Sequence, residues 1–221
     1  MPRIEGLSRA DAPPEIARRY DEVFGEGRDP VREPCTPAGT PGNWWTVWAR
    51  VPSILSAFGS YSYRTAPIDA QLREIALIRT GYVRQSQFVF SQHCKSGRRG
   101  GLPESKIAAI PYWTVADIFS PLERAVLAYV DGQMLEGGRV HDKVFETLKQ
   151  HLSDEEILIF TYLINAYSLH ATATRALRLE FDDIPERIIE VPAPGDGVFD
   201  SKEPSASNAR RADPMQEQSV P

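Results

Sequence analysis

Apolar residues recur along this chain at intervals of three and four, and nowhere do they alternate with polar ones over the length of a strand. That period belongs to helices packed through one face, so the pattern predicts an all-α fold with no sheet. The most regular stretch runs from Asp69 to about Arg84. There Leu72, Ile75, Ala76, Leu77 and Ile78 leave almost no polar face, and a helix that is apolar all round is a buried one. Ser86 to Gly97 reads as the next helix, stopped by Gly100-Gly101, and Leu102-Pro103-Glu104 opens a third with Ile107 and Ile110 on one face. A second block lies beyond. Ser120-Pro121-Leu122-Glu123 opens a helix to Met134, Asp142 to His151 gives another, and Ser153 with Glu156 reads as a capping box for a long helix to about Arg178. The helix order of 68–112 and 120–178 is loosely similar, which suggests an internal duplication.

The flanks are of another kind. Residues 1–42 read as an N-terminal extension, with Ile16, Tyr20 and Val23 at helical spacing in one short helix from Pro14, and then a Pro- and Gly-rich loop from Gly25 to Gly42. Asn43 is the expected N-cap of an aromatic helix, Trp44 to Ala49, and Pro52-Ser53 starts another that runs to about Tyr63. Residues 43–190 form the expected helical domain. Residues 191–221 are rich in Pro, Gly and Ser, and such a segment buries too little apolar area to offset ~1–2 kcal/mol of ordering entropy per residue. It is expected to be a disordered tail or an arm that wraps another subunit.

Composition narrows the partners. The 42% hydrophobic and 25% charged residues are ordinary for a globular protein, and a net charge of -5 argues against a nucleic-acid partner. The compact basic run Lys95, Arg98, Arg99 reads as the solvated end of a helix. No apolar run approaches the ~20 residues that span a bilayer, and the polar start is unlike a secretory signal, so no membrane partner is expected. The two cysteines, Cys35 and Cys94, have neither metal-type nor redox-type spacing, and nothing about them asks for a disulfide; a reducing cytoplasm is the simplest location. His93, His141, His151 and His170 show no ligand spacing, so no metal is expected. With no strand to carry a phosphate loop, no nucleotide, flavin or nicotinamide cofactor is expected either.

Two residues stand out against this background. Glu74 sits in the stripe Glu74, Leu77, Ile78, Gly81 of the most apolar helix. A carboxylate buried there is either paired in a structural salt bridge, with Arg73, Arg79 or another arginine, or is a group of raised pKa that moves protons. His93 shares a helix face with Ser86, Val89 and Phe90. A lone histidine is often only a hydrogen-bonded core residue; a carboxylate close by would fix its tautomer and raise its basicity.

Leu72-Arg-Glu-Ile-Ala-Leu-Ile-Arg79, then Ser86-Gln-Phe-Val-Phe-Ser-Gln-His93, then Gly100-Gly-Leu-Pro-Glu-Ser-Lys-Ile107, resemble in order and spacing the carboxymuconolactone decarboxylase and alkylhydroperoxidase D-like superfamily, in its longer single-chain members. The resemblance spans about residues 40–185. It implies a helical bundle that assembles as a homotrimer or homohexamer. In the peroxidase branch a Glu is followed by Cys-x-x-Cys and a His; Glu74 and His93 take the Glu and His places, whereas Ser86 and Val89 stand where the two cysteines belong. Disulfide-cycling peroxidase chemistry is thus not expected. The decarboxylase branch often carries a carboxylate where this chain has Val89, which argues against the name-giving reaction.

What remains is an acid, an imidazole and a hydroxyl near aromatic residues. The expected activity is that of a cofactor-free carbon–carbon lyase or decarboxylase, acting by proton transfer on a small, aromatic-derived acid or lactone. Glu74, His93 and Ser86 are the expected catalytic groups. The expected substrate contacts are Trp45, Tyr63, Arg79, Tyr82, Val89, Tyr167 and His170. Consecutive Trp44 and Trp45 cannot both face one core from a helix, so one is expected to be a pocket wall or subunit contact. Tyr63 and Tyr82 are phenolic donors, while Arg64 and Arg79 would clamp a carboxylate or pair with the protein's own acids. The alternatives are a peroxidase using Cys94 alone and a non-enzymatic helical oligomer.

Overall fold

The computed structural model describes residues 2–34, 42–59 and 66–179. Among these the chain is entirely helical: α1 (Pro14–Phe24), α2 (Gly42–Trp48), α3 (Pro52–Gly59), α4 (Ala70–Val83), α5 (Gln87–Arg99), α6 (Glu104–Ala109), a 3₁₀ helix (Ile110–Val115), α7 (Pro121–Met134), α8 (Asp142–His151) and α9 (Asp154–Leu177). The side chains that start these helices are those the sequence offers. Asp69 accepts from the Leu72 amide, Ser86 accepts from the Val89 amide, and Ser120 with Glu123 and Ser153 with Glu156 form capping boxes. Two expectations shift at the edges. Asn43, the expected cap of α2, lies inside a helix that begins at Gly42, and the expected extension of α3 to Tyr63 lies outside the described residues. The tail beyond Leu179 and Cys35 lie outside them as well.

The apolar pattern of α4 has a direct cause. The helix packs on α5, α7 and α9 together, and every residue from Leu72 to Gly81 is buried. Ile75 and Ile78 join Phe90 and Cys94 of α5, Ile107 of α6 and Leu127 of α7. Leu72 and Ala76 face a second cluster with Val126 and Val130 of α7, Leu148 of α8 and Phe160 and Ile164 of α9. Leu77 meets Ala66 and Leu163. The segment expected as an N-terminal extension packs as well: Ile16, Tyr20 and Phe24 of α1 form a cluster with Ala49 and Leu55, against which Trp44, Trp45 and Trp48 lie.

The connection between α4 and α5 fixes how closely these two helices approach. The Ser86 amide donates to the Gly81 carbonyl and the Gln85 amide to that of Tyr82, with Gln85 in the left-handed region at φ 51°. This is the two-bond helix ending in which glycine is usual at the left-handed place. Gly81 lets the two helices touch, for a Cβ there would stand 2.5 Å from the backbone nitrogen of Phe90.

Candidate active site

Glu74 points from α4 and His93 from α5, and the fold brings them together. Oε2 of Glu74 lies 2.8 Å from Nδ1 of His93, with both side chains almost wholly buried. The Arg73 Nε donates to the other carboxylate oxygen, Oε1, at 3.1 Å. Burial pushes the Glu74 carboxyl up, but the His93 charge and hydrogen bond, and then Arg73, outweigh it and hold the group below the usual carboxylate range. Of the two readings open from sequence, the raised pKa is therefore corrected: Glu74 is ionised. The salt bridge to Arg73 is present, and so is the imidazole. An ionised carboxylate only accepts, so the Nδ1–H of His93 donates to it.

The ring of Tyr167, from α9, stands edge-on to His93 at 4.3 Å and stacks on His170 at 5.3 Å. His170 in turn stacks on Trp44 at 5.5 Å and meets Phe58 of α3 at 4.7 Å. Burial, and secondarily the His93 charge, push the His170 imidazole down to about 4. It is a neutral ring at ordinary pH. The consecutive helices α2 and α3 and the distant α9 thus contribute one row of aromatic rings that ends on the Glu74–His93 pair.

The other expected site residues are distributed differently. Ser86, the third expected catalytic group, is fully buried as the N-cap of α5, where its hydroxyl oxygen receives the Val89 amide at 3.3 Å. Val89 is buried one turn before His93, and its backbone lies under Gly81. Of the two roles expected for Arg79, pairing with one of the protein's own acids is the one seen. Its Nε and Nη2 donate to both oxygens of Asp131 at 2.7 and 2.8 Å, and its Nη1 donates to the carbonyls of Ile110 and Pro111. Tyr82 lies under that guanidinium and beside Phe90, in the first core cluster. Trp45 turns toward α1, where it meets Phe24 and lies beneath Arg19. The tryptophan that reaches the row is Trp44, which sequence reasoning set aside; the consecutive pair was the signal, but only packing decides which member turns inward. Phe58 was missed with no comparable signal. Tyr63 and Arg64 lie outside the described residues.

Cys94 is next to His93 in the chain but points away into the first core cluster, where burial pushes its thiol up to about 12. A thiol held so firmly protonated is a poor nucleophile. Among the described residues no group of three or more histidine, cysteine or acidic side chains is placed to hold a metal, and no helix is long and apolar enough to cross a membrane.

Residues 49–132, which include Glu74 and His93, match the model of the carboxymuconolactone decarboxylase family. A protein of Bacillus subtilis (strain 168), YdfG, is 24% identical over 103 residues, which cover 46% of this chain and 70% of that one. Among solved structures, an AhpD-related protein of unknown function from Agrobacterium tumefaciens is 25% identical, with a TM-score of 0.56 over 59% of this chain and 92% of its own. The alkylhydroperoxidase AhpD core of a peroxidase-related protein from Ralstonia eutropha JMP134 gives a TM-score of 0.65 at 19% identity, over 82% and 93% of the two chains. The debrominase Bmp8 in complex with 2,3,4-tribromopyrrole gives 0.61 at 17% identity, over 80% and 90%. The order of the motifs, the helical architecture and these matches agree: residues 49–132 are similar to the carboxymuconolactone decarboxylase family, and the fold is that of the alkylhydroperoxidase D-like structures.

Proposed function

We propose that the chain is a cofactor-independent lyase or decarboxylase that exchanges a proton between His93 and a small, aromatic-derived acid or lactone, as a homo-oligomer. The reading is carried by the 2.8 Å contact of the Glu74 carboxylate with His93 Nδ1. A carboxylate kept ionised beside an imidazole fixes which nitrogen is basic and stabilises the imidazolium that forms when Nε2 takes up a proton. Arg73 holds the second carboxylate oxygen and so orients the first. In decarboxylation the bond to the departing CO2 breaks, its electron pair moves into the substrate's own conjugated carbonyl, and the imidazolium returns a proton to carbon. In lactone isomerisation the same nitrogen removes a proton from one carbon and returns it to another. The substrate supplies the electron sink in both, so the protein needs only a positioned acid–base group.

The peroxidase alternative is weakened by Cys94, whose thiol is buried and firmly protonated. To test the proposal, aryl acids and unsaturated lactones are screened for CO2 release or loss of lactone absorbance. With any substrate so found, Glu74→Gln and His93→Ala should each lower turnover by about 10²–10⁴-fold, the usual worth of a positioned acid–base group. Circular dichroism should show both variants still helical. Full turnover in either variant ends the proposal.

A further inference from the structure

The Nε1 atoms of Trp44 and Trp48 are buried and have no hydrogen-bond partner. Buried indole N–H groups normally find an acceptor, because one left without costs free energy that a bonded one does not. Two such donors one turn apart on α2, both against Phe58 at 5.9 and 5.0 Å, call for an explanation. They belong to the cluster that reaches His93 through His170 and Tyr167.

The chemistry of these groups restricts what they would recognise. Ring faces alone attract flat rings or cations. Indole N–H edges carry positive charge and ask for an acceptor, which disfavours a cation. The rings of Trp44, Trp48 and Phe58 are uncharged, and His170 stays neutral through burial, so among the described residues these four offer no cation to a desolvated carboxylate. An uncharged oxygen acceptor on a flat ring satisfies both demands.

We propose that Trp44, Trp48 and His170 form the specificity end of the ligand site whose reactive end is His93, and that this end takes an aryl ring bearing an uncharged carbonyl oxygen, which accepts from an indole N–H. The inference rests on the reading of His93 as the reacting group, yet it concerns binding at the opposite end of the aromatic row. Its failure is therefore separable from failure of that reading. Binding energy gained there, away from the reacting atoms, would be available to orient the substrate.

The test uses the full chain with acetophenone as probe, ethylbenzene as the ring of similar size without the carbonyl, and benzoate as a charged counterpart. Indole proton–nitrogen NMR spectra, with Trp44→Phe and Trp48→Phe giving the assignments, report on the donors directly. Acetophenone should move the Trp44 or Trp48 indole proton downfield and bind more tightly than either comparison compound. Loss of the responding donor should weaken acetophenone by about fivefold, one neutral hydrogen bond's worth, and leave ethylbenzene unchanged. Should a variant fail to fold, the relative binding of acetophenone, ethylbenzene and benzoate to the wild type decides alone. Equal shifts from acetophenone and ethylbenzene, no shift from either, or preferred binding of benzoate would each overturn the assignment. In His93→Ala acetophenone should still bind; a carbonyl preference that persists there while Glu74→Gln and His93→Ala keep full turnover sinks the lyase reading and spares this one.

Discussion

At the scale of single residues, the charged groups of the interior divide by what they touch. Arg79 spends its donors on Asp131 and on two carbonyls, and the Trp113 indole donates to the same carboxylate at 3.0 Å. Arg79→Ala would strand that carboxylate and free the carbonyls of the 3₁₀ helix. The expected loss is about 3 kcal/mol, the low end for a broken buried pair because Asp131 keeps some contact with water. Urea midpoints measure it; a loss below ~1 kcal/mol would put the pair among ordinary surface bridges. His170 gives a pH dependence whose sign is set by its surroundings. Its folded pKa lies near 4 against an ordinary 6.5, so between those values the unfolded chain binds a proton that the folded one refuses. Its contribution is thus full above about pH 6.5 and fades as pH falls toward 4, by up to ~3 kcal/mol. Urea titrations from pH 7 down to 4.5 should show the decline, and His170→Phe should flatten it. The same slope in both proteins would show that His170 does not cause it.

At the scale of elements, the turn between α4 and α5 sets the distance between acid and imidazole. Two substitutions there should act in opposite directions. Gly81→Ala drives a methyl group against the Phe90 backbone, and overpacking of this kind costs about 1–3 kcal/mol. Gln85→Gly relieves a side chain held at φ 51° and should stabilise the protein by about 1 kcal/mol. Thermal melts of the two variants check both signs. In Gly81→Ala the shift of α5 should also move the NMR signals of the His93 ring, because the contact with Glu74 is set by the helix spacing. Apolar period and caps made α4, α5, α7 and α9 legible from the sequence to within a residue or two. The start of α2 lies two residues before the expected Trp44, because the Asn43 cap rests on residue type alone and Asn43 falls inside the helix.

At the scale of the whole molecule, the outer face of α9 presents Leu158, Tyr162 and Leu169, each at least half exposed and spaced so that they share one side of the helix. An apolar stripe of this kind fits the trimer or hexamer that the family resemblance implies. Light scattering coupled to size exclusion should therefore give a mass of three or six times 24.7 kDa, and Leu158→Glu with Leu169→Glu should lower it. A wild-type monomer at micromolar concentration would contradict the assembly.

The helical class, the burial of α4 and the anomaly of Glu74 within it could be read from the sequence, because period, caps and a charge in an oily stripe are local properties of the chain. Only the tertiary structure decided what those residues meet. It put Arg73 and His93 on the two oxygens of Glu74, and so determined that the carboxylate is charged. It gave Arg79 a buried ion pair with Asp131. It turned Trp44 inward and Trp45 toward α1, although the two are neighbours of identical type. The contacts of Glu74 with His93, Arg79 with Asp131 and Trp44 with His170 depend on which groups approach from other helices, and a side chain's protonation is set by such neighbours and by the loss of water around it.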